Sequence, residues 1–379
     1  MSGYDFLKGL RVLEVAQLGP ASLGGILADM GAEVIKVEGP DGDPVRHMGK
    51  HALGSPDGIG FLHLRWNRGK KSVGIDLKKP DGRDLFLRLA RRADVVIEGM
   101  RAGVLNRLGL GYDELRKVNP RVVFCSLSGL GGSGPYHKLA AHAPSFDAVG
   151  GLAAVQPYAL PKQERRDLPW VPVAMHAMGR DAAIGVLAAV IRAGRTGEGA
   201  VIEVTGAEAA VHWLPDGMDV HLNPDLTHRR EPPLMNSRGK MVHWPRLYPY
   251  DAKDGRRIFF QCVYPKYWRV FCNVVERPDL LALYDDAGDV GAADEAAFVE
   301  LSALFRTRSA DEWMALALAH DIPMLPVNTA ETVADDPHFA ARGNVVEIDC
   351  PGLGPIRVAA TPVRTPDQAF LPGAPPAVF

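Results

Sequence analysis

Residues 10–37 read LRVLEVAQLGPASLGGILADMGAEVIKV, and this stretch decides the fold. Leu10 to Val15 is a short apolar run of strand type, and Gly19-Pro20 breaks it. Ala21 to Met30 carries apolar residues at Leu23, Ile26 and Leu27, the spacing of one helical face, and Gly31 falls where a helix C-terminal cap belongs. Ala32 to Val37 is again strand-like. Strand, turn, helix, strand is a βαβ unit, and two strands joined through a helix lie parallel.

The same alternation continues outward. Lys71 to Leu77 reads as a strand, Pro80-Asp81-Gly82 as a turn, Arg83 to Arg92 as an amphipathic helix and Ala93 to Ile97 as a strand. A helix over Tyr112 to Val118 and a strand over Arg121 to Leu127 follow. Asp181 to Ala193 predicts an apolar helix, with a turn at Thr196 to Gly199 and a strand from Ala200 to Val204. The expected class is α/β, with a Rossmann-like large domain on a parallel sheet. His212 to Pro249 has little periodicity and is far longer than the roughly 12–15 residues of an ordinary loop, so it reads as a linker. Arg257 to Val263 opens a smaller α+β unit, with helices near Tyr267 to Val275 and Asp311 to His320. The tail from Asn344 has seven prolines and short strand pieces, and is expected to return to the first domain. The expected organisation is a large domain from 1–211 and 340–379, a linker over 212–249 and a small domain over 250–339.

Hydrophobic residues make up 47% and charged residues 23% of the 379, which excludes a disordered chain. Lys and Arg number 43 against 45 Asp and Glu, so net charge gives no reason to expect nucleic acid or an anionic membrane as partner. Cys125, Cys262, Cys272 and Cys350 form no CxxC pair, so no metal or redox motif is written, and their scarcity fits a reducing cytoplasm. The longest apolar run, Ala182 to Ile191, is well short of a bilayer span. The expectation is a cytoplasmic protein with neither metal nor membrane.

Three loops carry candidate chemistry. The helix start after Gly19-Pro20 suits an anion. Glu38 ends the second strand where a dinucleotide fold keeps its ribose-binding acid, which suggests NAD; the turn reads GPASLG rather than GxGxxG, which argues against it. A basic run, Arg65, Arg68, Lys70 and Lys71 around Asn67 and Gly69, has the cations that a multiply phosphorylated ligand needs, with Arg46, Arg101 and Arg107 as possible neighbours. The bland alternative is a solvated loop before a strand. Glu98-Gly99-Met100-Arg101 follows a predicted strand at the edge where open α/β sheets bind ligands.

The run Gly9 to Glu38 resembles the start of family III CoA-transferases, the CaiB/BaiF family. The resemblance continues through Asn67 to Ser72, Asp76-Leu77-Lys78, Ala93 to Gly111, Asn119-Pro120, Ser126 to Pro135, Gly185 to Gly199 and the Glu312-Trp313 to Arg342-Gly343 region. It implies a CoA thioester as substrate and two subunits interlocked like chain links, with a homodimer or a paralogous partner subunit. It implies contacts to coenzyme A from Gly19, Pro20, Arg46, Asn67, Arg68, Lys70, Lys71, Glu98, Gly99 and Arg101.

The Gln17-Leu18-Gly19-Pro20 turn and the Glu98 to Arg101 loop resemble the α-methylacyl-CoA racemase branch. That branch has a His-Asp pair where this chain has His142-Ala143. The family's catalytic aspartate lies about ten residues before the glycine matching Gly185, and counting back reaches Met175. Gly179 keeps the family's glycine four residues after that position, and Asp181 falls six residues late. Methionine neither accepts a proton nor attacks a thioester. His142 and His176 could form an acid/base pair in its place, with Asp147 a further candidate. For each the structural alternative is a hydrogen-bonded residue or a helix cap. The possible activities are CoA transfer, proton transfer at the α-carbon, or none, as a silent CoA-binding subunit.

Overall fold

The structure, a computed structural model, describes residues 3–49, 59–152, 171–214, 222–223, 245–283 and 295–376. Two compact units divide the chain: Met1–Leu214 with His338–Phe379, and Pro215–Pro337.

The larger unit is built on six strands: β1 (Arg11–Ala16), β2 (Glu33–Glu38), β3 (Lys71–Gly74), β4 (Val95–Gly99), β5 (Val123–Ser128) and β6 (Ala200–Thr205). They pair in parallel in the order β3-β2-β1-β4-β5-β6. The chain leaves β1 toward β2 on one side and resumes at β4 on the other. The order therefore reverses between β1 and β4, and open α/β sheets keep their ligand crevice outside the carboxyl ends at such a point.

Both faces of the central strands β1, β4 and β5 are covered, which is why they read as near-continuous apolar runs, while the edge strands β3 and β6 keep exposed residues. On one face Val12, Val34, Val95, Ile97, Val123 and Cys125 pack with helices α1 (Ala21–Asp29) and α7 (Val173–Thr196). On the other, Leu13, Val15, Val37, Val96 and Phe124 pack with α3 (Pro80–Ala90) and α5 (Tyr112–Val118). Helices α2 (Phe61–Asn67), α4 (Val104–Arg107), α6 (Ala143–Val149) and α8 (Gly206–His212) complete the layers. By length and composition α7 could cross a membrane, but Ala174, Ala177, Met178, Ala182, Val186, Ala189 and Ala193 are buried in this core.

A hairpin of β10 (Val345–Cys350) and β11 (Gly354–Ala359) belongs to the same unit. The tail is tied in by Arg68, which donates to the Ala359 carbonyl at 2.7 Å, and by the Gly69 amide, which donates to Ala374 at 2.8 Å.

The smaller unit has an antiparallel sheet of β7 (Tyr248–Asp251), β8 (Arg257–Phe260) and β9 (Met324–Pro326). Its core is aromatic: Tyr250 stacks on Phe305 at 4.8 Å, and Trp268, Phe271 and Trp313 close round Phe260 and Phe305. The helix Ala310–His320 starts in a capping box between Ser309 and Glu312, so it carries its own start signal.

The structure corrects several expected boundaries. α7 begins at Val173, eight residues before the predicted Asp181, so Met175 and His176 lie on a helix. The basic run is not an open loop: Arg65 to Asn67 finish α2. β3 stops at Gly74, short of the expected Leu77. Most of Gln156 to Pro172, whose charged residues suggest a solvated flap, and most of the expected linker lie outside the described residues.

Candidate active site

A cavity of about 450 Å³ opens at the carboxyl ends of β1, β4 and β5. The β1–α1 turn supplies Gln17, Leu18, Gly19 and Pro20; the loop after β4 supplies Gly99, Met100, Arg101 and Ala102. Leu127 to Gly131, His137, Leu139 to Pro144, Phe146 and, from α7, Met175 and Met178 complete the wall. The cavity thus sits where the strand order reverses.

Two glycines let its walls approach. A Cβ on Gly19 would overlap Met175 Cγ and stand 3.1 Å from its Sδ. A Cβ on Gly99 would overlap Ala16 and Pro20, so only a residue without a side chain lets the β1 turn and the β4 loop meet. Leu18 is held at φ 51°, a left-handed conformation that costs an ordinary residue roughly 1–2 kcal/mol. Backbone strain of this kind clusters where a turn is shaped for a ligand.

The wall is apolar from Leu18, Met100, Leu127, Leu130, Leu139, Phe146, Met175 and Met178. Its ionisable side chains among the described residues are Arg101, His137 and His142, with no aspartate or glutamate. Arg101 is exposed and makes no ion pair among the described residues. His142 is the N-cap residue of α6, but its imidazole makes no capping hydrogen bond. His137 was not among the residues singled out from sequence. Its Nδ1 lies 2.7 Å from the Gly134 carbonyl oxygen; since a carbonyl only accepts, Nδ1 carries the proton.

His176 is not part of this wall. Successive helical residues point about 100° apart, so Met175 faces the cavity while His176 packs on Trp66, ring centroids 5.4 Å apart. Burial lowers its proton affinity, and Arg65 and Arg180 lower it further. Asp147 is fully buried on α6, and its Oδ1 accepts from the Ala174 amide at 2.9 Å, the first turn of α7. Its carboxylate serves a helix start, where negative charge is favoured. His142 and His176 are therefore not brought together.

The basic run is also redirected. Lys70 Nζ is buried, 2.8 Å from each carboxylate oxygen of Glu14 and from the Ala21 carbonyl, and 3.0 Å from Asn67 Oδ1. Arg46 Nε donates to Glu38 at 2.7 Å, and Arg68 pairs with Asp29 at 2.7 Å. Lys71 is exposed and paired with Glu33. Lys36 joins Glu14 to Asp43, at 3.7 and 2.9 Å. A buried chain of alternating charges thus runs beneath the β1–α1 turn, and none of Arg46, Asn67, Arg68 and Lys70 lines the cavity. Glu98 accepts from the Leu105 amide at 2.7 Å and from Ser126 Oγ at 3.0 Å, anchoring the loop that carries Arg101. Of the expected ligand residues, Gly19, Pro20, Gly99 and Arg101 line the cavity.

Known proteins agree with this architecture. The model of CoA-transferase family III matches residues 7–378. The probable fatty acyl-CoA transferase Rv3272 of Mycobacterium tuberculosis is 33% identical over 94% of this chain and 91% of its own. The succinyl-CoA–L-malate CoA-transferase alpha subunit of Chloroflexus aurantiacus is 30% identical over 94% of this chain and 84% of its own. The crystal structure of a CaiB/BaiF family protein from Brucella suis superposes with a TM-score of 0.76 at 28% identity, covering 98% of this chain and 96% of that one. With a match along nearly its whole length and a six-stranded parallel sheet to carry it, the chain belongs to CoA-transferase family III, whose members act on acyl-CoA thioesters.

Proposed function

We propose that this chain binds an acyl-CoA with its thioester in the β1/β4/β5 cavity and moves a proton at the α-carbon, without an acyl-aspartyl anhydride. The observation that carries this reading is the composition of the cavity wall: Met175 covers Gly19, and the ionisable groups among its described residues are an arginine and two histidines. A mixed anhydride needs a carboxylate. An imidazole accepts and returns a proton near neutral pH, and a guanidinium favours the negative charge that collects on a thioester oxygen.

The test has two arms. Calorimetry with CoA, acetyl-CoA and NAD is expected to give binding to the first two; tight NAD binding without CoA binding would replace this reading with a dehydrogenase. Incubation with an acyl-CoA and a carboxylate acceptor, followed by hydroxylamine, is expected to trap no protein adduct. Rapid CoA transfer with an adduct on Asp181 or Asp147 would overturn the mechanism.

A second reading is a silent CoA-binding subunit, favoured by the absence of a carboxylate among the described wall residues and by the subunit named in the Chloroflexus relative. It becomes the leading one if acyl-CoA binds and neither transfer nor proton exchange follows. We infer further that the chain is a homodimer of the interlocked kind. Ile184, Ala188 and Ile191 form an exposed apolar stripe on α7, Ile184 being 71% exposed in the single chain. Light scattering should give twice the 41.0 kDa of one chain.

A further inference from the structure

His137 and His142 stand on one connection between β5 and α6, and both line the cavity. The two imidazoles differ in how they are held. The 2.7 Å hydrogen bond from Nδ1 to the Gly134 carbonyl pins the His137 ring and settles its neutral tautomer. The lone pair is then on Nε2, which has no hydrogen-bond partner among the described residues. A ring oriented through one nitrogen, with the other left for the ligand, is how a histidine base is set up.

We propose that His137 is a catalytic base of this site, its Nε2 taking the α-proton of a bound acyl-CoA. This rests on the acyl-CoA reading above and names the group that carries it out. The Cα–H bond breaks, the proton forms an N–H bond on Nε2, and the released electron pair moves into the enolate, with charge on the thioester oxygen. Return of a proton from Nε2 to the α-carbon regenerates both partners. Nothing is oxidised or reduced and no group leaves. Arg101 shares the cavity and supplies the positive charge that the enolate oxygen needs. In D2O the proton on Nε2 exchanges with solvent before it returns, so each reversal leaves a deuteron on the substrate.

The decisive variant is His137→Asn. An asparagine Nδ2–H can donate to the Gly134 carbonyl as Nδ1–H does, so the loop keeps its anchor while the base is lost. Propionyl-CoA is incubated in D2O with wild type, His137→Asn and His137→Ala, and deuterium uptake is read by mass spectrometry. Calorimetry on the same samples gives the affinity, and thermal melting reports the fold. Wild type is expected to exchange. His137→Asn is expected to exchange at least about 100-fold more slowly, with affinity within about threefold, since a positioned base contributes factors of that order. Added imidazole is expected to restore exchange in His137→Ala, a rescue that a merely structural histidine would not show. The proposal is overturned if His137→Asn exchanges within about threefold of wild type, or if wild type binds propionyl-CoA and exchanges nothing. Failure of wild type to bind propionyl-CoA or CoA at all would instead remove the acyl-CoA reading, and this assignment with it.

Discussion

Met175 lies directly over Gly19, its Cγ in the space that a residue-19 Cβ would need. The contact joins α7 to the β1–α1 turn and fixes one wall of the cavity. Gly19→Ala is therefore expected to cost about 1–3 kcal/mol through overpacking. The pair Gly19→Ala with Met175→Ala should recover most of that loss, since neighbours that share one space are not additive. Chemical denaturation of the two single variants and the double variant measures the coupling; strictly additive losses would mean that the two side chains do not compete.

Asp147 separates a structural from a chemical carboxylate. Asp147→Ala removes a buried acceptor from the Ala174 amide, which is expected to cost about 1.5–3 kcal/mol of stability. Turnover per folded molecule should be unchanged. A loss of kcat with normal stability would return Asp147 to the reacting groups.

Arg101 and Lys70 are both basic, yet their substitutions should read out differently. Lys70→Met leaves Glu14 buried without its closest cation, an expected cost of about 3–5 kcal/mol. Arg101→Ala should leave melting unchanged and weaken CoA binding by about 10-fold or more, the scale of one charge-assisted contact. Calorimetry and thermal melting on both variants give the comparison. If Lys70→Met weakened binding without affecting melting, the structural assignment of Lys70 would fail.

Acid should destabilise the larger unit in two steps. Burial lowers the His63 imidazole from 6.5 to about 4, and Arg46 and Lys36 add to this. The unfolded chain therefore takes up a proton below 6.5 that the folded chain refuses until about 4, and stability falls with pH across that window. Burial alone would raise the Glu38 carboxyl, but Arg46, Ser72 and the Asp43 amide outweigh it and hold the group at about 2. Its contribution is complete above 4.5 and is lost as pH falls toward 2. Urea denaturation at a series of pH values should show both slopes, and His63→Leu should flatten only the upper one.

The parallel sheet was legible because its central strands β1, β4 and β5 are buried on both faces and read as apolar runs, with an amphipathic period in α3 between β3 and β4. Gly19-Pro20 and Glu98 to Arg101 could be placed because strands end where apolar runs end. The fate of the basic run was not legible. Glu14 is 56 residues from Lys70, Asp29 is 39 from Arg68, and nothing local shows that such residues meet. One signal was present: Glu14 interrupts the otherwise apolar run Val12 to Ala16, and a carboxylate there must find a cation once the strand is covered. The start of α7 was missed because Val173 to Gly179 is short of charge contrast, so its period does not stand out; the acid/base pairing of His176 with His142 went with it. His137 gave no pattern at all, since what sets it apart is a hydrogen bond to a carbonyl three residues back.

The buried charges under the first turn also bear on how such a chain can be recognised. Loss of Lys70 alone would leave the buried Glu14 without its closest cation, and loss of Arg46 would do the same to Glu38, so a change at either position carries a stability cost. The constraint on those positions is therefore one of stability, whatever reaction the cavity performs. Met175 has no such bond to any of them, and a change of residue there leaves the whole chain of ions standing. Those ions thus report what holds the first turn in place, and the chemistry is to be read from the side chains that line the cavity above them.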